Sequence, residues 1–234
     1  MLRSRIPFIM IKRSGFATAV LLLIAGHASA AAISGQVSFM TRRGQKPLMS
    51  ETVVWLQPAA RSTAEKKEPQ RFQMPTRNRI LIPHVLAVPV GSTVDFPNDD
   101  PVAHNLFSLS PGNSFDIGLQ RRGSGKSEKF ETPGTVNVYC NVHPNMSAII
   151  YVVATPYYTQ ADATGRFSFN VPKGRYVLHA SNEQGGSASN EIEVAADGTV
   201  KGEVALVLDM RRARRTQHLN KLGKPYKTPS ANDY

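Results

Sequence analysis

In the segment YCNVHPNM, Cys140 is followed by a histidine three residues later and a methionine three further on, His143 and Met146. Cys140 is the only cysteine of the 234 residues, so it has no partner for an intramolecular disulfide. Thiolate, imidazole and thioether are soft or borderline ligands, and their crowding into one short window points to a transition-metal site. Pro144, inside the window, fixes its own φ and stiffens the segment. A further ligand must come from elsewhere in the chain. His104 fits that role, because it opens the strand-like run HNLFSLS after the strand and turn STVDFPNDDPVA. His84, following Pro83, reads as an exposed or capping residue, His179 as a sheet-face residue, and His218 lies in a basic C-terminal stretch.

Two imidazoles, one thiolate and a weak axial thioether form the ligand set of a blue-copper electron-transfer centre. Other chemistries fit less well. A c-type haem attachment needs Cys-x-x-Cys-His, which a chain with one cysteine cannot supply. Zinc rarely takes a thioether, and no base or substrate cleft for a thiol nucleophile is legible. The same ligands also suit Cu(I) storage or delivery, and a surface- or partner-binding module with incidental copper is a third reading.

The segment must be positioned by strands. ISGQVSFM, ETVVWLQP, VLAVPVGSTVDFP, GTVNVYC, SAIIYVVA, GRFSFNVP, GRYVLHAS and NEIEVAA alternate or are β-branched, with Gly, Pro, Asn and Asp between them. This pattern predicts an all-β sandwich or barrel, with NVHPNM as the loop between two strands. GRFSFNVPKGRYVLHA predicts a hairpin across a Pro-Lys-Gly turn, with Phe167, Phe169 and Tyr176 fixing its register. Trp55 is expected in a core. Pro58 to Gln70 is charged and apolar-poor, a linker or exposed loop.

Residues 1–30 read as a cleavable secretory signal: Arg3, Arg5, Lys12 and Arg13, then GFATAVLLLIAG, then the small-residue site ASA. The expected location is therefore periplasmic, with no integral membrane segment after cleavage. The formal charge of +11 divides unevenly. Beyond the signal there are 24 Lys and Arg against 17 Asp and Glu, and residues 211–234 carry seven of the cations against Asp233 alone. Residues 210–234 therefore read as a basic, solvated and disordered tail, whose sharper reading is docking to an acidic protein or anionic surface. No nucleic-acid motif accompanies it.

From about Phe72 to Val153 the sequence resembles the small cupredoxins, amicyanin most closely, through VPVGSTVDFPNDDPVAHNLFS and PGTVNVYCNVHPNM. The resemblance implies a Greek-key cupredoxin sandwich holding one type 1 copper, with His104, Cys140 and His143 equatorial and Met146 axial. It further implies an outer supporting role for Asn105 and Pro144, and an electron-transfer patch of His143, Pro101 and Leu106, with Pro144 and Met146 beside it. ISGQVSFMTRRGQKPLMSETVVWLQP and DATGRFSFNVPKGRYVLHA resemble a carboxypeptidase-regulatory-like, transthyretin-like sandwich. The implied layout is a discontinuous sandwich of 31–58 with 156–209, a linker at 59–70, and a cupredoxin domain at 71–155 inserted between them. The whole resembles periplasmic methylamine-utilisation-like or plastocyanin-like proteins. It implies an electron carrier rather than an enzyme, served by a redox donor and acceptor, one of them acidic.

Overall fold

The computed structural model describes residues 30–59, 68–211, 213 and 218–226. The signal expected at 1–30 falls outside these except for Ala30, as do 60–67 of the linker and 212, 214–217 and 227–234 of the tail. The chain is all-β and built of several sheets, as expected from its alternation. Among the described residues the single helical element is a 3-10 turn at Met49–Glu51, and no helix is long and apolar enough to cross a membrane.

Strands between residues 71 and 153 pair only with one another. Val85–Pro89, Ser147–Val153, Gly134–Cys140, His104–Ser108 and Phe115–Gln120 form a five-stranded sheet in that order. Gly125–Lys129, Thr93–Pro97 and Arg71–Gln73 form a three-stranded one. Their facing sides enclose a core that includes Val94, Phe96, Leu106, Phe130, Val136, Val138 and Ile150.

The flanking sequence also builds two sheets. Ala31–Met40 lies between Arg166–Val171, antiparallel, and Ala205–Asp209, parallel. Val53–Pro58 sits between Tyr158–Gln160 and Gly174–Asn182, and Gly186–Val194 and Val200–Lys201 extend that sheet. These sheets share a second core containing Ile33, Val54, Leu56, Phe167, Phe169, Tyr176 and Leu178. A third, smaller cluster joins residues of both groups: Val53 meets Val85, Ala87, Ile149 and Tyr151. Trp55 is only partly buried against this cluster, stacked on His179 with ring centroids 4.9 Å apart.

The expected hairpin at 165–180 is not one. Arg166–Val171 pairs with Ala31–Met40, whereas Gly174–Asn182 pairs with Val53–Pro58 and Gly186–Val194. The Pro172–Lys173 connection crosses from one sheet to the other, and the Tyr176 hydroxyl donates to the Pro172 carbonyl at 2.9 Å to hold that corner. Phe167 and Phe169, side by side on one strand with ring centroids 5.7 Å apart, therefore share a core with Tyr176 of the other sheet rather than a ladder with it. Alternation sets which residues point inward, and it is the same for an arch as for a hairpin.

Candidate metal centre

Along Gly134–Cys140 the inward positions are Val136, Val138 and Cys140, so period-two alternation delivers the thiol to the core side at the end of the strand. The loop then closes on itself. Met146 N–H donates to the His143 carbonyl at 3.1 Å, and Cys140 N–H donates to the Met146 carbonyl at 3.1 Å. Val142 N–H points at Cys140 Sγ, 3.4 Å away. Met146, 1 % exposed, packs in the same core cluster as Cys140.

His104 arrives from the neighbouring strand. Cys140 pairs with Leu106, and Asn141 N–H donates to the Asn105 carbonyl at 2.8 Å. The three candidate equatorial atoms then converge. His104 Nδ1 lies 3.1 Å from His143 Nδ1 and 3.8 Å from Cys140 Sγ, and His143 Nδ1 lies 3.6 Å from Cys140 Sγ. The point equidistant from all three is about 2.0 Å from each, close to ordinary metal–nitrogen and slightly short of metal–sulfur bond lengths. The fit extends to the protons. His104 Nε2–H donates to Asp100 Oδ2 at 2.8 Å, which leaves a lone pair on the Nδ1 that faces the other two atoms. Burial, above all, lowers the His143 pKa, which favours the neutral imidazole that a metal ligand needs.

Asp100 was not singled out by sequence reasoning, yet it is the residue that orients His104. It is 3 % exposed and accepts the backbone N–H groups of Asn78 and Arg79 as well as the imidazole. Asn78 and Arg79 are the turn between Thr76–Arg77 and Ile80–Leu81, with φ of 54° and 58°. Such a left-handed pair turns two amides toward one acceptor. The conformation costs Arg79 roughly 1–2 kcal/mol, while a hydrogen bond to a charged group returns about 1.5–3 kcal/mol. Burial alone raises a carboxyl pKa, but the Arg79 amide, His104 and the Asn78 amide outweigh it and hold Asp100 below its ordinary value. In the sequence PNDDP such an acid is indistinguishable from a turn former.

The other expected residues divide. Pro144 is half-buried in the loop and Pro101 is exposed nearby in the chain from His104. The main chain of Asn105, through its carbonyl, ties the two ligand segments together; its side chain instead donates to Asp116. Leu106 does not belong to any surface patch. It is 1 % exposed and packs into the core cluster with Val136, Val138 and Phe96. Met146 is excluded from such a patch for the same reason. Val142, 45 % exposed beside His143, is the apolar side chain that the loop presents outward.

Residues 218–226 correct the expectation of a solvated tail. His218 stacks on Tyr139 with centroids 4.3 Å apart, and the Tyr226 hydroxyl donates to the Cys140 carbonyl at 2.6 Å. Burial, then the neighbouring Cys140, pushes the Tyr226 hydroxyl up to about 12. Lys221 N–H donates to Asn141 Oδ1 at 3.1 Å, and its ammonium reaches Asp116 Oδ2 at 2.6 Å. Composition averages over exactly the two aromatic residues and one lysine that make these contacts.

A second group, Glu51, His84 and Glu183, has ligand atoms within 4.8 Å of one another. The ion pair of His84 Nε2 with Glu183 Oε2 at 2.8 Å accounts for it, with His84 Nδ1 donating to the Ser147 carbonyl at 3.0 Å.

No protein-family model matches the sequence, and no curated protein matches it. Among solved structures, the chain is similar to a purple cupredoxin from Nitrosopumilus maritimus, at 29 % identity over 37 % of this chain and 100 % of that one, TM-score 0.32. It is also similar to a reduced, Cu(I) variant of amicyanin at 19 % identity, over 41 % of this chain and 87 % of the other, TM-score 0.33. A third match is a copper-containing nitrite reductase from Thermus scotoductus, at 24 % identity over 50 % of this chain and 28 % of that one, TM-score 0.35.

Proposed function

We propose that this chain is an exported type 1 copper protein that carries single electrons between redox partners, with His104, Cys140 and His143 as equatorial ligands and Met146 as the axial one. The observation that carries the reading is the convergence of two imidazole nitrogens and one thiol sulfur around a common point, with edges of 3.1, 3.6 and 3.8 Å. Bound copper would supply a Cu(I)/Cu(II) couple whose thiolate bond is intensely coloured in the oxidised state.

The chain's own residues do the rest. Asp100 fixes the ring of His104, and Cys140 and Met146 are held by a loop that hydrogen-bonds to itself and to the Asn105 carbonyl. A donor set held in place by its supports changes little between oxidation states, which keeps reorganisation small. Burial of Cys140 excludes water and oxidants from the thiolate. His143 and its neighbours Val142, Pro144 and Pro101 form the face from which an electron leaves. In this reading residues 71–155 are the copper domain, inserted into a carboxypeptidase-regulatory-like sandwich of 31–58 and 156–209. The redox partner presents an acidic face to the basic C-terminal segment, in a periplasmic compartment.

Copper-loaded mature protein is expected to show an intense visible band and a narrow-hyperfine paramagnetic signal, both absent from Cys140→Ser. A colourless copper adduct with an ordinary Cu(II) spectrum would overturn the proposal. A reversible voltammetric wave distinguishes a carrier from a protein that stores Cu(I).

A further inference from the structure

Residues 218–226 contact the metal loop and the residues that support it at four points. The Tyr226 hydroxyl donates to the carbonyl of Cys140 itself. Lys221 N–H donates to Asn141, the residue after Cys140. The Lys221 ammonium holds Asp116, whose other oxygen accepts from Asn105, the residue after His104. A fourth contact lies on the other side of Cys140, where His218 stacks on Tyr139 at 4.3 Å and 16°. The segment is also braced within itself: Tyr226 stands edge-on to His218, its hydroxyl 3.3 Å from His218 Nδ1.

We propose that residues 218–226 are a clasp on the ligand loop, with Tyr226 and His218 as positioning residues that fix the Cys140 backbone and raise the reduction potential of the centre. The inference rests on the copper reading for its redox part and on geometry alone for the clasp.

The Cys140 carbonyl is at the end of its strand, where the ladder with Leu106 stops and the loop begins. Without Tyr226 this acceptor, next to a fully buried side chain, would need water. The direction of the redox effect follows from charge. The reduced centre carries one positive charge fewer than the oxidised one. A hydroxyl whose hydrogen points toward the ligand residue favours the less positive state. Exclusion of water from the loop favours it too, because the more highly charged state gains more from solvation. The Lys221 ammonium is largely offset by Asp116, so the clasp acts through the hydroxyl and the covering rings.

The test uses the full-length mature chain with Tyr226→Phe, which removes one oxygen and keeps the ring, and with His218→Ala and His218→Phe. For the copper-loaded forms the clasp predicts a lower midpoint potential in Tyr226→Phe and His218→Ala, and copper release to a chelator about tenfold faster. His218→Phe, which retains a stacking ring, should restore the wild-type value. Amide exchange of Asn141 and Val142 in the copper-free protein should quicken in Tyr226→Phe and His218→Ala but not in His218→Phe. Unchanged exchange would overturn the clasp itself. Faster exchange with unchanged potential and release would overturn its redox role. A wild-type protein lacking the blue spectrum would overturn the copper reading while the exchange result still decides the clasp.

Discussion

At the scale of single residues, the candidate site depends on groups that bind nothing. Asp100→Asn keeps an acceptor for His104 but loses the charge and one of the acceptor oxygens that the Asn78 and Arg79 amides use. Copper affinity is expected to fall about 10–100-fold, read by competition with a chelator, with the fold intact by circular dichroism. Three of the candidate ligands were legible because Cys140, His143 and Met146 sit together in the sequence. Asp100 was not, because its task is visible only once the Asn78–Arg79 turn, 22 and 21 residues earlier, is folded against it. The His84–Glu183 pair gives a pH-dependent term. The hydrogen bond to Glu183 raises the His84 pKa despite the opposing effect of burial. A raised histidine stabilises fully below its ordinary value near 6.5 and loses that contribution as pH rises through the folded value. Glu183→Gln should therefore lower the Tm at about pH 5.5 and have little effect at about pH 9.

At the scale of elements, close approach decides what alternation leaves open. Gly35 lies in Ala31–Met40, where an added Cβ would come within 2.2 Å of the Val204 carbonyl oxygen and 2.4 Å of the Phe167 ring. A backbone oxygen cannot rotate away, so Gly35→Ala is expected to destabilise by about 1–3 kcal/mol, measured by urea unfolding. The same packing explains why the sequence around 165–180 misled. A Pro-Lys-Gly connection between alternating segments suits a hairpin, but Arg166–Val171 finds its partner 130 residues earlier in the chain. Long-range pairing leaves no local mark. The strands flanking the metal loop were legible because each combines alternation with a clear terminating signal. Gly125–Lys129, GKSEK, was not, since it carries no apolar side chain and is an edge strand of its sheet.

At the scale of the whole molecule, the two large cores are welded by the small cluster of Val53, Val85, Ala87, Ile149 and Tyr151. Ile149 and Tyr151 are in the strand that leaves the metal loop, and Val53 is in a strand of the outer sheets. Loss of the copper chromophore and change in Trp55 fluorescence should therefore coincide on heating. Val53→Asn, which buries an amide at a fully covered position, should separate the two transitions. Coincident transitions in that variant would show that the cores are coupled by other means. The pairing of Ala31–Met40 with both Arg166–Val171 and Ala205–Asp209 sets an order of events. The first strand must wait for the last before its sheet is complete, while every strand from 71 to 153 finds its partners within that stretch. A chain emerging N-terminus first can thus assemble the metal loop's scaffold before its own beginning has been paired, and the clasp, coming last, closes over a site already built.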